Sequence, residues 1–302
     1  MRAVTMAHTV PVAEQESWTA VFANRGLATA FDGQAAEYAR LRPGYPTAAV
    51  DAAVPPTATR VLDLGAGTGK LTAALLDRGS SVVAVEPLWG MVAELHRLFP
   101  PANAVAAAAE QLPLADGTVD AIVVGQAFHW FDPERALDEM ARVLRPRGSV
   151  SLLWNHDDEA DPLVRDILDA LDRAGRPGGG STGRGSPDGP ADHDGEGGDG
   201  SEPPGTPGPA AGGRAAGGST RAPFVGHRSL TDPVLTEVAW TREQPVEDLI
   251  GLLHTYSYVI RASDTLRSEL DSRVRDLVRR YRPGRASVTV PVICQVWRST
   301  CH

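Results

Sequence analysis

The 302-residue chain carries 29 basic and 38 acidic side chains, a formal charge of −9, which gives no electrostatic case for a nucleic-acid or anionic-membrane partner. Its two cysteines, Cys294 and Cys301, offer neither a disulfide framework nor a zinc site and suit a reducing cytoplasm. Neither a long apolar run nor a basic–apolar leader is present, so no membrane span or signal peptide is expected.

In chain order, residues 1–28 are a weakly patterned extension. The segment Phe31 to Pro46 begins as a short helix that must stop before Pro43, because the residue preceding proline is pushed out of the α region. A second helix, about Thr47 to Ala53, leads into Val61-Leu62-Asp63-Leu64-Gly65-Ala66-Gly67-Thr68-Gly69-Lys70-Leu71. An apolar run with an acid inside it breaks into alternating glycines, and Leu71, Leu75 and Leu76 follow at helical spacing. That pattern predicts a buried parallel strand, a tight turn and the first helix of a doubly wound sheet, with a cofactor lying across the turn. A P-loop is disfavoured, since Leu64 and Leu71 occupy its first and last positions. A dinucleotide fingerprint, and with it an NAD-linked oxidoreductase, is disfavoured by Lys70 where a third glycine belongs.

Ser81 to Val85 reads as a buried strand ending in Glu86-Pro87. Glu86 lies about twenty residues after Gly65, where doubly wound nucleotide binders place the carboxylate that accepts both ribose hydroxyls. A helix with Met91, Leu95 and Leu98 on its core face follows. Asn103 to Ala109 is expected to be the third strand, then Glu110 to Leu114 a loop, Asp116-Gly117 a turn, and Val119 to Gly125 the fourth strand. That strand runs into Gln126-Ala127-Phe128-His129-Trp130-Phe131, at the carboxyl edge where open α/β sheets bind ligands. His129 is either a general base or a loop-orienting residue. Glu134 to Leu144 is an amphipathic helix ending at Pro146-Arg147-Gly148, with Gly148 expected to supply the turn. Ser149 to Trp154 is strand five, closing with Asn155 and His156.

Residues 174–222 hold more than half of the glycines together with Pro, Ser and Asp. Such a stretch buries too little apolar surface to offset its ordering entropy, so disorder is expected. Val234 to Trp240 then predicts a strand, Val246 to about Ile260 a helix, and Asp264 to Tyr281 a second helix with Leu266, Leu270, Val274 and Leu277 on one face. Arg275, Arg279, Arg280 and Arg282 on its other side read as a solvated face. Ser287 to Trp297 is a last, antiparallel strand.

Several phrases together carry a resemblance. The acid-x-Gly-x-Gly-x-Gly turn resembles motif I of class I S-adenosylmethionine-dependent methyltransferases. Arg42-Pro43-Gly44-Tyr45-Pro46, Ala109-Glu110-Gln111-Leu112-Pro113 and Gln126-Ala127-Phe128-His129-Trp130-Phe131 resemble the type-11 family, in its trans-aconitate methyltransferase-like subgroup. The resemblance implies an α/β, Rossmann-like, doubly wound seven-stranded sheet, mostly parallel with an antiparallel C-terminal strand. On that reading, residues 29–173 form the cofactor-binding core, 174–222 a disordered insertion, and 223–302 the strands and lid helices completing the same domain. It implies S-adenosyl-L-methionine as cofactor, held by Asp63, Gly65, Ala66, Gly67, Thr68, Gly69, Glu86, Pro87, Ala109, Glu110 and Gln126. Tyr38 and Arg42 become candidates for the cofactor carboxylate, which the planar fork of Arg suits; otherwise Tyr38 packs and Arg42 caps a helix. His129 and Trp130 are implied to border the acceptor, and the Tyr256 and Tyr258 phrase, which resembles the family's lid segment, places those two rings either at the acceptor or packed beneath a lid; Asn155, at the same strand edge, either contacts substrate or terminates the strand. The implied activity is methyl transfer to a small molecule, a carboxylate or hydroxyl oxygen preferred, by a cytoplasmic monomer or homodimer. A protein that binds the cofactor without transferring its methyl is the rival reading.

Overall fold

A computed structural model describes residues 39–175, 224–260 and 262–302. The expectations for the N-terminal extension, for the helix before Ala39 with Tyr38, and for nearly all of 174–222 lie outside the described residues, as does the side chain of Tyr258.

Helix α1 (Thr47–Ala53) precedes β1 (Arg60–Leu64), α2 (Lys70–Asp77), β2 (Ser81–Val85), α3 (Trp89–Leu98), β3 (Asn103–Val105) and β4 (Val119–Gly125). After a 3₁₀ turn at Phe128–Trp130 come α4 (Pro133–Val143), β5 (Leu144–Asp157) and α5 (Pro162–Gly175), which reaches into the first residues assigned to the insertion. The C-terminal part adds β6 (Val234–Pro245), α6 (Val246–His254), α7 (Ser257–Ile260), α8 (Asp264–Tyr281) and β7 (Ser287–Thr300).

The seven strands form one sheet in the order β3-β2-β1-β4-β5-β7-β6. Strands β1 to β5 pair in parallel, and β7 lies antiparallel between β5 and β6, so the expected mixed sheet is present. The central strands are near-continuous apolar runs because helices cover both faces: Val61, Leu62 and Leu64 of β1 and Ile122, Val123 and Val124 of β4 are all buried. On one face the core gathers Leu62, Ile122, Met140, Leu152 and Phe224. The other divides in two. Val61, Leu71, Leu75, Leu153 and Cys294 pack with α1, while Val288, Val290 and Val292 pack with α5, α6 and α8. The Val288-to-Cys294 alternation is that second face of β7. Pro291 interrupts this interior strand where its missing N–H costs nothing, since β5 ends at Asp157 and the Pro291 carbonyl accepts from the Asp158 N–H.

Five local expectations need correction. Strand three stops at Val105; Ala106 to Ala109 leave the sheet, as expected of small side chains with weak strand preference. Leu98 is 38% exposed at the end of α3 rather than part of its core face. The helix expected to continue from Val246 to Ile260 breaks at Thr255 and Tyr256. Leu266 is only half-buried, and Val278 joins Leu270, Val274 and Leu277 in the core instead. Finally, Pro146-Arg147-Gly148 is a bulge inside β5, and Arg147, not Gly148, takes the left-handed conformation at φ 64°. Gly148 is needed for space: a Cβ there would sit 2.8 Å from Leu144 and 2.9 Å from the Arg145 carbonyl. The arginine face of α8 is engaged, with Arg275 on Glu247, Arg279 on Asp276, Arg282 on Asp161 and Arg280 over the Tyr281 ring.

Among the described residues, no helix is long and apolar enough to cross a membrane, and no group of three His, Cys, Asp or Glu side chains is poised for a metal ion.

Candidate functional site

The parallel strands β1, β2 and β4 end together at one edge of the sheet, and the glycine turn between β1 and α2 lies there. Gly65, Gly67 and Gly69 all take positive φ (70°, 56° and 91°), a region costly to side chains with a Cβ. Their surroundings differ. Gly65 is hemmed in by Ala127 and Phe131, and Gly69 by Phe99 and Leu95, whereas nothing lies within 4 Å of the Cβ position at Gly67. Gly67 therefore faces open space into which a ligand can approach the backbone.

Two buried carboxyls flank this turn. Asp63 accepts a 2.6 Å hydrogen bond from the Thr72 hydroxyl through Oδ2, while its Oδ1 is buried without a partner. Burial lifts its pKa to about 7 against the Thr72 bonds. Glu86 accepts from Gly67 N–H at 2.9 Å and from Leu88 N–H at 3.1 Å, one bond on each carboxyl oxygen. Burial likewise raises it to about 7, the backbone bonds oppose this, and nearby Asp63 adds to it. Each Glu86 oxygen retains a second lone pair for a hydroxyl donor. The Thr68 hydroxyl, 3% exposed at residue level, also lacks a partner. An open glycine, an orphaned carboxylate oxygen and an orphaned hydroxyl fit a polar nucleoside-type cofactor laid across the turn. Ala66 and Gly69 line the same turn, Pro87 follows Glu86, and Trp89, which sequence reasoning did not single out, exposes 59% of its surface one residue past Leu88.

The β3–β4 connection approaches from the side. Ala109 is buried, and the Glu110 carboxylate accepts from Asp132 N–H at 2.8 Å, tying this loop to the one after β4. A hub stands behind it that the sequence did not reveal. Arg142 on α4 donates to the Leu112 and Leu114 carbonyls and to Glu139 and Asp116, while Glu139 accepts from Leu112 N–H. An amphipathic helix offers no signal that one of its polar residues anchors a distant loop.

Gln126, at the end of β4, takes φ 57°, a left-handed conformation rare for residues with a Cβ and concentrated at functional sites. Its backbone N–H bonds Leu153 O and its side-chain amide donates to Asn155 O at 2.9 Å, so the turn is held from β5. Asn155 in turn donates to Gly44 O at 3.1 Å. This fixes the Arg42-to-Pro46 segment over the edge, with Tyr45 seated against Gly125. Arg42 reaches the other way, donating to Thr255 O at 3.3 Å and lying 4.9 Å from the Tyr256 ring centroid. Asn155, Arg42 and Tyr256 thus border one region, while Tyr38 and the Tyr258 side chain lie outside the described residues.

His129 and the 41%-exposed Trp130 form the outer rim. The His129 ring sits 4.8 Å from Trp130 and 5.6 Å from Trp154, centroid to centroid. One side of the ring is open to solvent, but its packing between two indoles, and then the Arg42 charge, push its pKa down to about 4. It is neutral at pH 7 and a weak base. Because the folded form binds fewer protons than the unfolded chain between pH 4 and 6.5, this group removes stability as pH falls through that window. An imidazole NMR titration should give a His129 midpoint near 4; a midpoint near 6.5 would overturn the assignment.

Residues 62–152 match the family model described as a methyltransferase domain. An uncharacterized methyltransferase of Mycobacterium tuberculosis is 47% identical over 153 residues, 51% of this chain and 63% of the relative. An uncharacterized methyltransferase of Schizosaccharomyces pombe is 36% identical over 149 residues, covering 47% and 59%. The chain thus spans less than two thirds of the length of these relatives. Among solved structures, a proposed type II methyltransferase from Anaeromyxobacter dehalogenans superposes with a TM-score of 0.57 at 20% identity, over 85% of this chain and 97% of that one, and shares the fold.

Proposed function

We propose that this protein is an S-adenosyl-L-methionine-dependent methyltransferase acting on an oxygen of a small molecule. The observation that carries the reading is the glycine turn backed by two buried carboxyls, with Glu86 bonded to Gly67 and with Asp63 and Thr68 holding unused polar atoms. Similarity of residues 62–152 to a methyltransferase domain supports it.

When bound, S-adenosylmethionine supplies a methyl group on a positively charged sulfur, which an acceptor can take by in-line displacement. The protein's own part is positioning and exclusion of water. Glu86 would take the ribose hydroxyls, while Gly67 and Thr68 would receive the body of the cofactor. Ala109 and Glu110 would border its base, with Gln126 beside its reactive end. His129, Trp130, Asn155 and Tyr256 would orient the acceptor. A neutral, weakly basic His129 suits an orienting role better than removal of a hydroxyl proton. That favours a carboxylate, which is already ionised at pH 7, over a hydroxyl as the methylated group.

Calorimetric titration with S-adenosylmethionine and S-adenosylhomocysteine tests the cofactor. Micromolar binding, about −8 kcal/mol, is expected for the wild type. Loss of the ribose acceptor in Glu86→Ala should weaken it by about 1–3 kcal/mol. A wild type that binds neither compound would sink the reading.

A further inference from the structure

The two margins of the sheet are built differently. At one, β3 is only 3 residues long, so few main-chain groups face outward. At the other, β6 runs for 12 residues and, among the described residues, pairs only with β7. Its register with β7 is unbroken from Val234 to Pro245, so no bulge turns the margin away. It carries no lysine, and its one proline stands at the last position. Natural edge strands are blunted by shortness, bulges, lysines, prolines or inward-pointing charges. The one inward charge here, Arg242, is matched by Asp157 of β5 at 2.9 Å, and the other devices are missing from Val234 to Gln244. Val234, Thr236, Val238, Trp240 and Thr241 are instead residues that favour strands.

No residue of β6 is buried, whereas alternate residues of β7 from Val288 to Val296 all are. Val238 and Trp240 lean half-buried against the α1-side core, and Leu235, Glu237, Ala239, Thr241 and Glu243 are exposed on the opposite face. Val234 and Leu235 leave 65% and 37% of their surface uncovered. Residues 176–223 of the chain itself are ill suited to pair there. They contain no Val, Ile, Leu, Met, Phe, Tyr or Trp, and their glycines and prolines are poor strand formers.

We propose that this margin is a homodimer interface, occupied by β6 of a second copy of the chain, paired antiparallel about a twofold axis normal to the sheet through Ala239; the pairing does not depend on the cofactor assignment. Such an axis keeps each face of the sheet on its own side, so residues equally distant from Ala239 face one another. The small Ala239 faces itself, and Val238 faces Trp240 twice, an aromatic–β-branched pair. Glu237 faces Thr241, Leu235 faces Glu243, and Thr236 faces Arg242, so no like charges stand opposite. An axis through Trp240 would set Glu237 against Glu243, which is destabilising. One through Val238 would carry Glu243 beyond the start of β6 and shorten the pairing. Val234 to Gln244 spans about 35 Å and forms a strip about 10 Å tall, with about ten main-chain hydrogen bonds on offer. That contact is at the small end for specific interfaces, so a dissociation constant on the order of micromolar is expected.

Sedimentation equilibrium of the full chain is the test. The wild type should be mostly dimeric at about 100 µM and monomeric well below about 1 µM. Ala239→Lys sets two ammonium groups against each other on the axis and adds the residue that guards natural edges. It should weaken the dimer about tenfold or more, yet melt as the wild type does at a concentration where both are monomers, because the position is exposed. Thr241 reports the register. Thr241→Lys faces Glu237 and should tighten the dimer by about threefold, while Thr241→Glu should loosen it by about as much. A wild type still monomeric at about 100 µM, as when residues 1–38 or no strand at all cover this margin, overturns the proposal. So does a dimer indifferent to Ala239→Lys, whose interface would lie elsewhere, or a Thr241 pair that shifts the dimer in one direction.

Discussion

Gly65→Ala lowers the unfolding free energy by about 2–5 kcal/mol, from left-handed backbone strain and overpacking together, and weakens S-adenosylmethionine binding by about tenfold or more. Gly65 holds φ 70°, and an added Cβ would stand 2.5 Å from Ala127 Cβ and 3.2 Å from Phe131 Cζ. Those two residues belong to the loop that carries Gln126 and His129. Relief of the clash must therefore move either the glycine turn or that loop, and both are needed to hold a ligand. Gly67→Ala is the comparison that separates the effects. It shares a positive φ, 56°, but has open space where the Cβ would go. Only the backbone cost of about 1–2 kcal/mol is expected there, while the new methyl occupies the approach of the cofactor. Chemical denaturation and calorimetry on both variants check the pair. A Gly65→Ala protein as stable as the wild type would mean the two loops are not mutually locked.

The second large effect is expected at Arg142→Ala. Its guanidinium spans the Leu112 and Leu114 carbonyls, Glu139 and Asp116. The Arg142 side chain is 32% exposed, so solvent moderates the loss, and about 2–3 kcal/mol of stability is expected to go. Arg142→Lys should restore only part of this, because a point charge cannot serve two carbonyls and a carboxylate in one plane. Without the hub the Ala109-to-Leu114 loop is free to shift, and cofactor affinity should fall less than in Glu86→Ala. Denaturation midpoints and titrations on the two Arg142 variants decide it. An unchanged midpoint in Arg142→Ala would show that water replaces the hub at no cost.

What the sequence made legible follows from how local each signal is. The β1–turn–α2 unit could be read because apolar run, glycine spacing and helical spacing all fall within about a dozen residues, and the turn geometry needs those glycines. Glu86 could be read because strand length and helix length set its distance from Gly65. The left-handed residue at Pro146-Arg147-Gly148 was misplaced for a related reason. Glycine serves both conformational freedom and close packing, and only the folded neighbours, here Leu144, the Arg145 carbonyl and the distant Asp120 carbonyl, reveal which is in force. The Arg142 hub was illegible altogether. Its partners depend on contacts that composition and periodicity do not encode. Likewise the break at Thr255 and Tyr256 follows no proline or glycine, and shows only once Arg42 is seen to reach the Thr255 carbonyl.

The position of β7 bears on how such a chain reaches its native state. Among the described residues, strand β6 is made before β7 yet has β7 as its only sheet neighbour, and β5 has that same strand on its outer side. As the polypeptide emerges from the ribosome, β5 and β6 are therefore released with unpaired edges. Both must wait for a segment more than a hundred residues downstream of β5. Joining partners so far apart is slow, and bare edges recruit other chains. Interrupting synthesis before Ser287 leaves the outer edge of β5 and the β7-facing edge of β6 unpaired instead of one finished sheet.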